Sequence, residues 1–108
     1  MDVRLSSGEV VYRLLKGEDD PSSRSWQPKY GKALAAAKGI PELLRIGMSH
    51  YLTIGDAQAV NTQESRIAQV TLTTGRFYWA RTGNVQGHID VWGRSDEFPP
   101  LAQVVESQ

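Results

Sequence analysis

The chain contains no cysteine. That single absence removes thiol nucleophiles, thiolate metal sites and disulfides together, and it suits a reducing compartment. An excess of charge of one sign is also missing. Twelve basic residues balance twelve acidic ones, so no net field draws the chain to nucleic acid or to an anionic membrane. Apolar runs extend only a few residues, against the ~20 needed to span a bilayer. Histidine is scarce: His50 and His88 are the only two, with no His-x-x-x-His spacing, so no metal site is expected. Neither G-x-x-x-x-G-K-[ST] nor G-x-G-x-x-G occurs, which excludes nucleotide binding through those phosphate loops. A Gly-x-Ser-x-Gly elbow is missing as well. Met1-Asp2-Val3-Arg4 shows no basic segment leading into an apolar run. The expected location is therefore the cytoplasm, or delivery by a secretion system without a cleaved signal peptide.

What is present fits one domain, residues 1–108, long enough to bury a real core. Glu9 to Lys16 is rich in β-formers and reads as a largely buried strand with one charge, Arg13, inside it. Gly17 to Pro28 is dominated by turn and cap formers, and Trp26, its only large apolar residue, is expected to pin this loop to the body. Tyr30 to Lys38 holds the strong helix former Ala33-Leu34-Ala35-Ala36-Ala37, with Gly39 as C-cap. Pro41 suits the first position of a second helix, Glu42 to Arg45, ending near Gly47. Met48 to Ile54 reads as a strand, and Asp56 as the N-cap of a helix that ends before Ser65.

The second half is strand-like. Arg66 to Thr74 and Arg76 to Thr82 are separated by Thr74-Gly75, which is either a hairpin turn or a bulge in one long strand. Gly83-Asn84 supplies a turn before the strand at 88–92. Ser95-Asp96-Glu97 forms a short turn stopped by Pro99-Pro100, and Leu101 to Val105 is a final strand. Strands surround helices gathered in the first two thirds without regular βαβ alternation. The expected fold is α+β, with a mostly antiparallel twisted sheet and two or three short helices.

The run Gly87-His88-Ile89-Asp90-Val91-Trp92-Gly93 carries most of the chemistry. A strand period of two sends Ile89 and Val91 to one face and His88, Asp90 and Trp92 to the other. His88 and Asp90 then lie roughly 7 Å apart at Cβ. Their pairing matters if a nucleophile lies opposite, as in hydrolytic triads. Otherwise they are a solvated histidine and aspartate beside a packed Trp92. The run resembles the Gly-His-Ile-Asp-Leu-Trp segment of bacterial amidase effectors that degrade peptidoglycan. Those enzymes use a cysteine nucleophile, which this chain lacks.

Other candidates have open readings. Arg13, flanked by apolar residues, points to solvent, pairs with an acid, or clamps an anion with its planar fork. His50 is expected to be a hydrogen-bonded structural histidine. Phe77 and Trp79 share a face with Arg81, a composition of either a sheet core or an interface.

Two functions follow. The first is a protein- or ligand-binding module acting through Trp79, Arg81, His88, Asp90 and Trp92, with a protein partner and no cofactor. The second rests on a resemblance to ADP-ribosyltransferase-like bacterial toxin domains. Val11-Tyr12-Arg13-Leu14 resembles their first strand motif, and Ser49-His50-Tyr51-Leu52-Thr53 followed by Asp56 to Val60 resembles their second. Ala68 to Phe77 resembles the strand that follows. The resemblance implies NAD as cofactor, contacted by Arg13, with Ser49, Tyr51 and Thr53 lining the nicotinamide pocket. Gln69 stands where the family shows its late glutamate.

Overall fold

A computed structural model describes residues 1–15, 26, 32–39, 42–62 and 65–106. Strand β1 (Arg4–Leu5) and strand β2 (Val10–Leu15) precede helices α1 (Lys32–Ala37) and α2 (Glu42–Ile46). Strand β3 (Met48–Tyr51), helix α3 (Ile54–Val60) and strand β4 (Arg66–Thr71) follow. Strands β5 (Tyr78–Arg81), β6 (His88–Trp92) and β7 (Ala102–Glu106) complete the order, with 3-10 turns at Ser95–Glu97 and Pro99–Leu101 before β7. The strands form one seven-stranded sheet in the order β1-β5-β6-β3-β2-β4-β7. Every pairing in it is antiparallel. The α+β reading therefore holds, with α1, α2 and α3 all inside residues 32–60.

Several local expectations are corrected. Thr74-Gly75 is neither a hairpin nor a bulge, because β4 pairs with β2 and β7 while β5 pairs with β1 and β6. The chain leaves one half of the sheet here and enters the other. Ser6, 2 % exposed, holds the crossing: its Oγ donates to Thr73 O at 2.7 Å and accepts from Phe77 N at 3.0 Å. The strand expected to reach Ile54 stops at Tyr51, and Thr53 caps α3 in place of Asp56. Thr53 Oγ1 accepts from Asp56 N at 3.0 Å, satisfying an orphan N–H, while Asp56 sets its carboxylate at the positive helix end. Pro99 and Pro100 open a 3-10 turn, where the N–H that proline lacks has no helical partner to lose. Most of Gly17 to Pro28, together with Tyr30 and Pro41, lies outside the described residues.

The register sorts side chains onto two faces. Val11, Leu15, Met48, Ala68, Val70, Ile89 and Val91 are buried on one, joined by Phe77, Phe98 and Trp26. Phe98 is the meeting point of the aromatic group, with ring centroids 4.9 Å from Phe77, 5.7 Å from His50 and 6.0 Å from Trp26. Trp26 is fully buried. The opposite face carries Ser49, Tyr51, His88, Asp90 and Trp92. Helix α2 is fastened beside it because the Trp92 indole Nε1–H donates to Leu43 O at 2.8 Å.

Candidate active site

Strands β3 and β6 pair Ser49 with Asp90 and Tyr51 with His88, so four side chains of one face converge. Cross-strand neighbours lie about 5 Å apart at Cβ, and diagonal ones remain within reach of long side chains. His88 uses that diagonal. Its Nε2 lies 2.7 Å from Ser49 Oγ. Its Nδ1 lies 3.0 Å from the Thr82 backbone oxygen and 3.0 Å from Thr82 Oγ1. A carbonyl oxygen accepts only, so the Thr82 O contact is made by the tautomer that carries its proton on Nδ1. Nε2 is then a bare lone pair, and the Ser49 hydroxyl donates to it. This tautomer is the one a general base requires. Tyr51 meets the His88 ring edge-on, with centroids 5.4 Å apart.

Asp90 is the costly member. It is only 8 % exposed, and Gly47 lies so close that a Cβ there would sit 2.9 Å from the Asp90 Cβ and Cγ. Only a glycine lets the backbone entering β3 approach this closely. Burial raises the Asp90 carboxyl above the ordinary aspartate value, against the opposing pull of the Thr82 hydroxyl, the His88 ring and the Arg13 charge. A carboxyl whose folded value is raised favours the fold most below its unfolded value of 3.8, and that advantage is lost as pH rises. Ionised Asp90 therefore burdens the fold at neutral pH. Asp90→Asn is expected to raise the melting temperature at pH 7, with the gap over the wild type closing below pH 3.8. Melting curves across that range would contradict it if the variant gained nothing at pH 7.

The sheet register sets the face on which Arg13 lies. Tyr12 pairs with Tyr51, so Arg13, its neighbour along β2, belongs to the opposite face from Tyr51 and Ser49. Its guanidinium lies 5.6 Å from the Trp26 ring centre, and Nη1 donates to the Ser49 backbone oxygen at 2.7 Å. Burial lowers its value to about 10, with Asp90 acting to raise it. Thr53 is occupied as the α3 cap. Arg13, Ser49, Tyr51 and Thr53 therefore do not line one cleft.

The five residues expected to share a binding surface are split by the sheet. Trp79 pairs with Val91 and Arg81 with Ile89, which sets them on the core face, away from His88, Asp90 and Trp92. Trp79 is buried, with Arg4 over its ring at 5.5 Å. His50 is fully buried: its Nδ1 donates to Met48 O at 2.9 Å and its ring stacks on Phe98. Among the described residues, no three metal-ligating side chains cluster, and no helix is long and apolar enough to cross a membrane.

Residue-level reading missed Ser49 and Thr82 as partners of His88. The available signal was the alternation of Ser49 with Tyr51 on one strand and His88 with Asp90 on another, which an antiparallel pairing would join. Comparison of the chain with protein-family models, with curated proteins and with solved structures finds no match.

Proposed function

We propose that the chain is an enzyme that cleaves an ester or amide through a Ser49–His88 dyad. The observation that carries this reading is the 2.7 Å contact from Ser49 Oγ to His88 Nε2, on an imidazole whose other nitrogen lies 3.0 Å from Thr82 O. Ser49 Oγ attacks the substrate carbonyl carbon while His88 Nε2 takes the hydroxyl proton. The imidazolium returns that proton to the leaving oxygen or nitrogen as its bond to carbon breaks. Water, deprotonated by the same nitrogen, then hydrolyses the acyl-serine. Ser49 is exposed, so substrate has access to the reacting oxygen.

The test needs no knowledge of the substrate. A fluorophosphonate probe incubated with the folded protein is expected to modify Ser49, as read by peptide mass spectrometry. Ser49→Ala removes the adduct, and His88→Gln slows its formation roughly 100-fold or more, the usual scale of general-base catalysis. Failure of the wild type to form a Ser49 adduct under conditions that label a control serine hydrolase would end this reading.

A non-catalytic protein-binding role is the second reading. It is favoured by apolar exposure on the paired helices: Leu34 of α1 is 52 % exposed, and Leu43 and Leu44 of α2 are 47 % and 41 % exposed. A surface of that kind marks protein contact when the residues are contiguous. Retention of full biological effect by Ser49→Ala would favour it. The NAD-dependent transferase reading gains nothing from an arrangement that sets the Arg13 side chain on the face opposite those of Ser49 and Tyr51.

A further inference from the structure

We infer that Arg13 is a positioning residue that fixes the backbone of Ser49 from the far side of the sheet, an inference that rests on the dyad reading above. The sheet is unevenly stitched around β3. Toward β6 it has four register pairs, from Met48↔Val91 to Tyr51↔His88. Toward β2 it has one, Tyr12↔Tyr51. The β2–β4 side, by contrast, runs for six pairs from Val10↔Thr71 to Leu15↔Arg66. The ladder between β2 and β3 thus stops short of Ser49.

A strand carbonyl beyond the end of a ladder takes its hydrogen bond from a side chain or from ordered water. Ser49 O takes its bond from Arg13 Nη1 at 2.7 Å, in place of a β2 amide. The donor is itself held. The guanidinium lies over the Trp26 ring at 5.6 Å, and Trp26 is fully buried against Phe98. A chain of packed groups therefore runs from Phe98 through Trp26 and Arg13 to the peptide carrying the nucleophile.

The consequence is geometric. The 2.7 Å contact between Ser49 Oγ and His88 Nε2 requires both strands to hold register, and on the other edge of β3 the register pairs stop at Tyr12↔Tyr51. Displacing a reacting group by about 1 Å costs on the order of 100-fold in rate. A guanidinium suits this post because it stays charged, presents several donors in a rigid fork and packs flat on an indole. Arg13 touches neither substrate nor the reacting oxygen; it acts through the Ser49 peptide.

The experiment compares rates of fluorophosphonate labelling at Ser49 in wild type, Arg13→Lys and Arg13→Ala, with circular dichroism and melting temperature recorded for each. Arg13→Ala is expected to remain folded and to label at least tenfold more slowly. Arg13→Lys, which keeps a cationic donor within reach of Ser49 O, is expected to recover most of the rate even where its melting temperature matches that of Arg13→Ala. Recovery of rate without recovery of stability is something a purely structural arginine would not show. Wild-type labelling with an unchanged rate in folded Arg13→Ala overturns the positioning role and leaves the dyad intact. Absence of labelling in the wild type removes the dyad and this inference with it. Unfolding of both variants makes Arg13 a stability residue and also overturns the inference.

Discussion

Lowering the pH from 6.5 toward 3 is expected to remove on the order of 5 kcal/mol of folding stability through His50 alone. The folded imidazole is pushed down to about 3, first by burial and then by the Arg13 charge, while the Met48 carbonyl bond works weakly the other way. The unfolded imidazole titrates near 6.5. Below that point the unfolded chain holds a proton the folded chain refuses, so stability rises with pH across the window. It is fully present above 6.5 and drains away as pH falls to about 3. Loss on this scale is a large share of a domain stability of roughly 5–15 kcal/mol. Urea unfolding at several pH values, compared between wild type and His50→Leu, isolates the contribution. The leucine variant starts lower at pH 7, by about 1–3 kcal/mol, because Met48 O loses its donor. It then falls less steeply with acid, and the two curves converge or cross. Parallel slopes would show that His50 is not the group responsible.

Alternation alone placed Ile89 and Val91 in the core and separated them from His88 and Trp92, because a strand period of two is a local property. Asp90 belongs to the polar set by parity yet is buried, since its cover comes from Gly47 at the end of a helix far along the chain. The apolar flanks of Arg13 leave solvent, an acid or an anion open as its partner, and its contacts with the Trp26 ring and the Ser49 peptide oxygen follow only from three-dimensional neighbours. Ser49 and His88 are 39 residues apart, and nothing local states that their strands pair. Thr74-Gly75 has the chemistry of a tight turn whether the chain folds back or crosses the sheet. Ser6, distant in sequence, decides between them. Strand β1 has two residues and leaves no period to detect.

Phe98→Ala is expected to destabilise the fold by about 3–5 kcal/mol, the usual range for deleting a buried phenylalanine ring. Phe98 was invisible as a core residue because it sits between a polar 3-10 turn and two prolines, outside any periodic run. It is nonetheless fully buried and touches the rings of Trp26, His50 and Phe77. For a domain of this size the melting temperature should drop by roughly 15 °C or more, whereas Tyr78→Ala, at a side chain 54 % exposed, should move it little. Equal shifts in the two variants would mean the ring contributes no more than surface area. A second consequence separates loss of packing from loss of the site. Without the Phe98 ring, water gains access to the face of His50, and desolvation is the largest cause of its lowered value. Its titration should then move back toward 6.5, and the acid-dependent loss of stability should shrink in the same variant. Phe98→Leu, which keeps the site apolar and mostly filled, should retain the steep acid dependence while losing part of the stability. If the alanine and leucine variants keep identical acid slopes, the low value at His50 does not depend on the Phe98 ring, and its cause lies with the other groups that bury it and with the Arg13 and His88 charges.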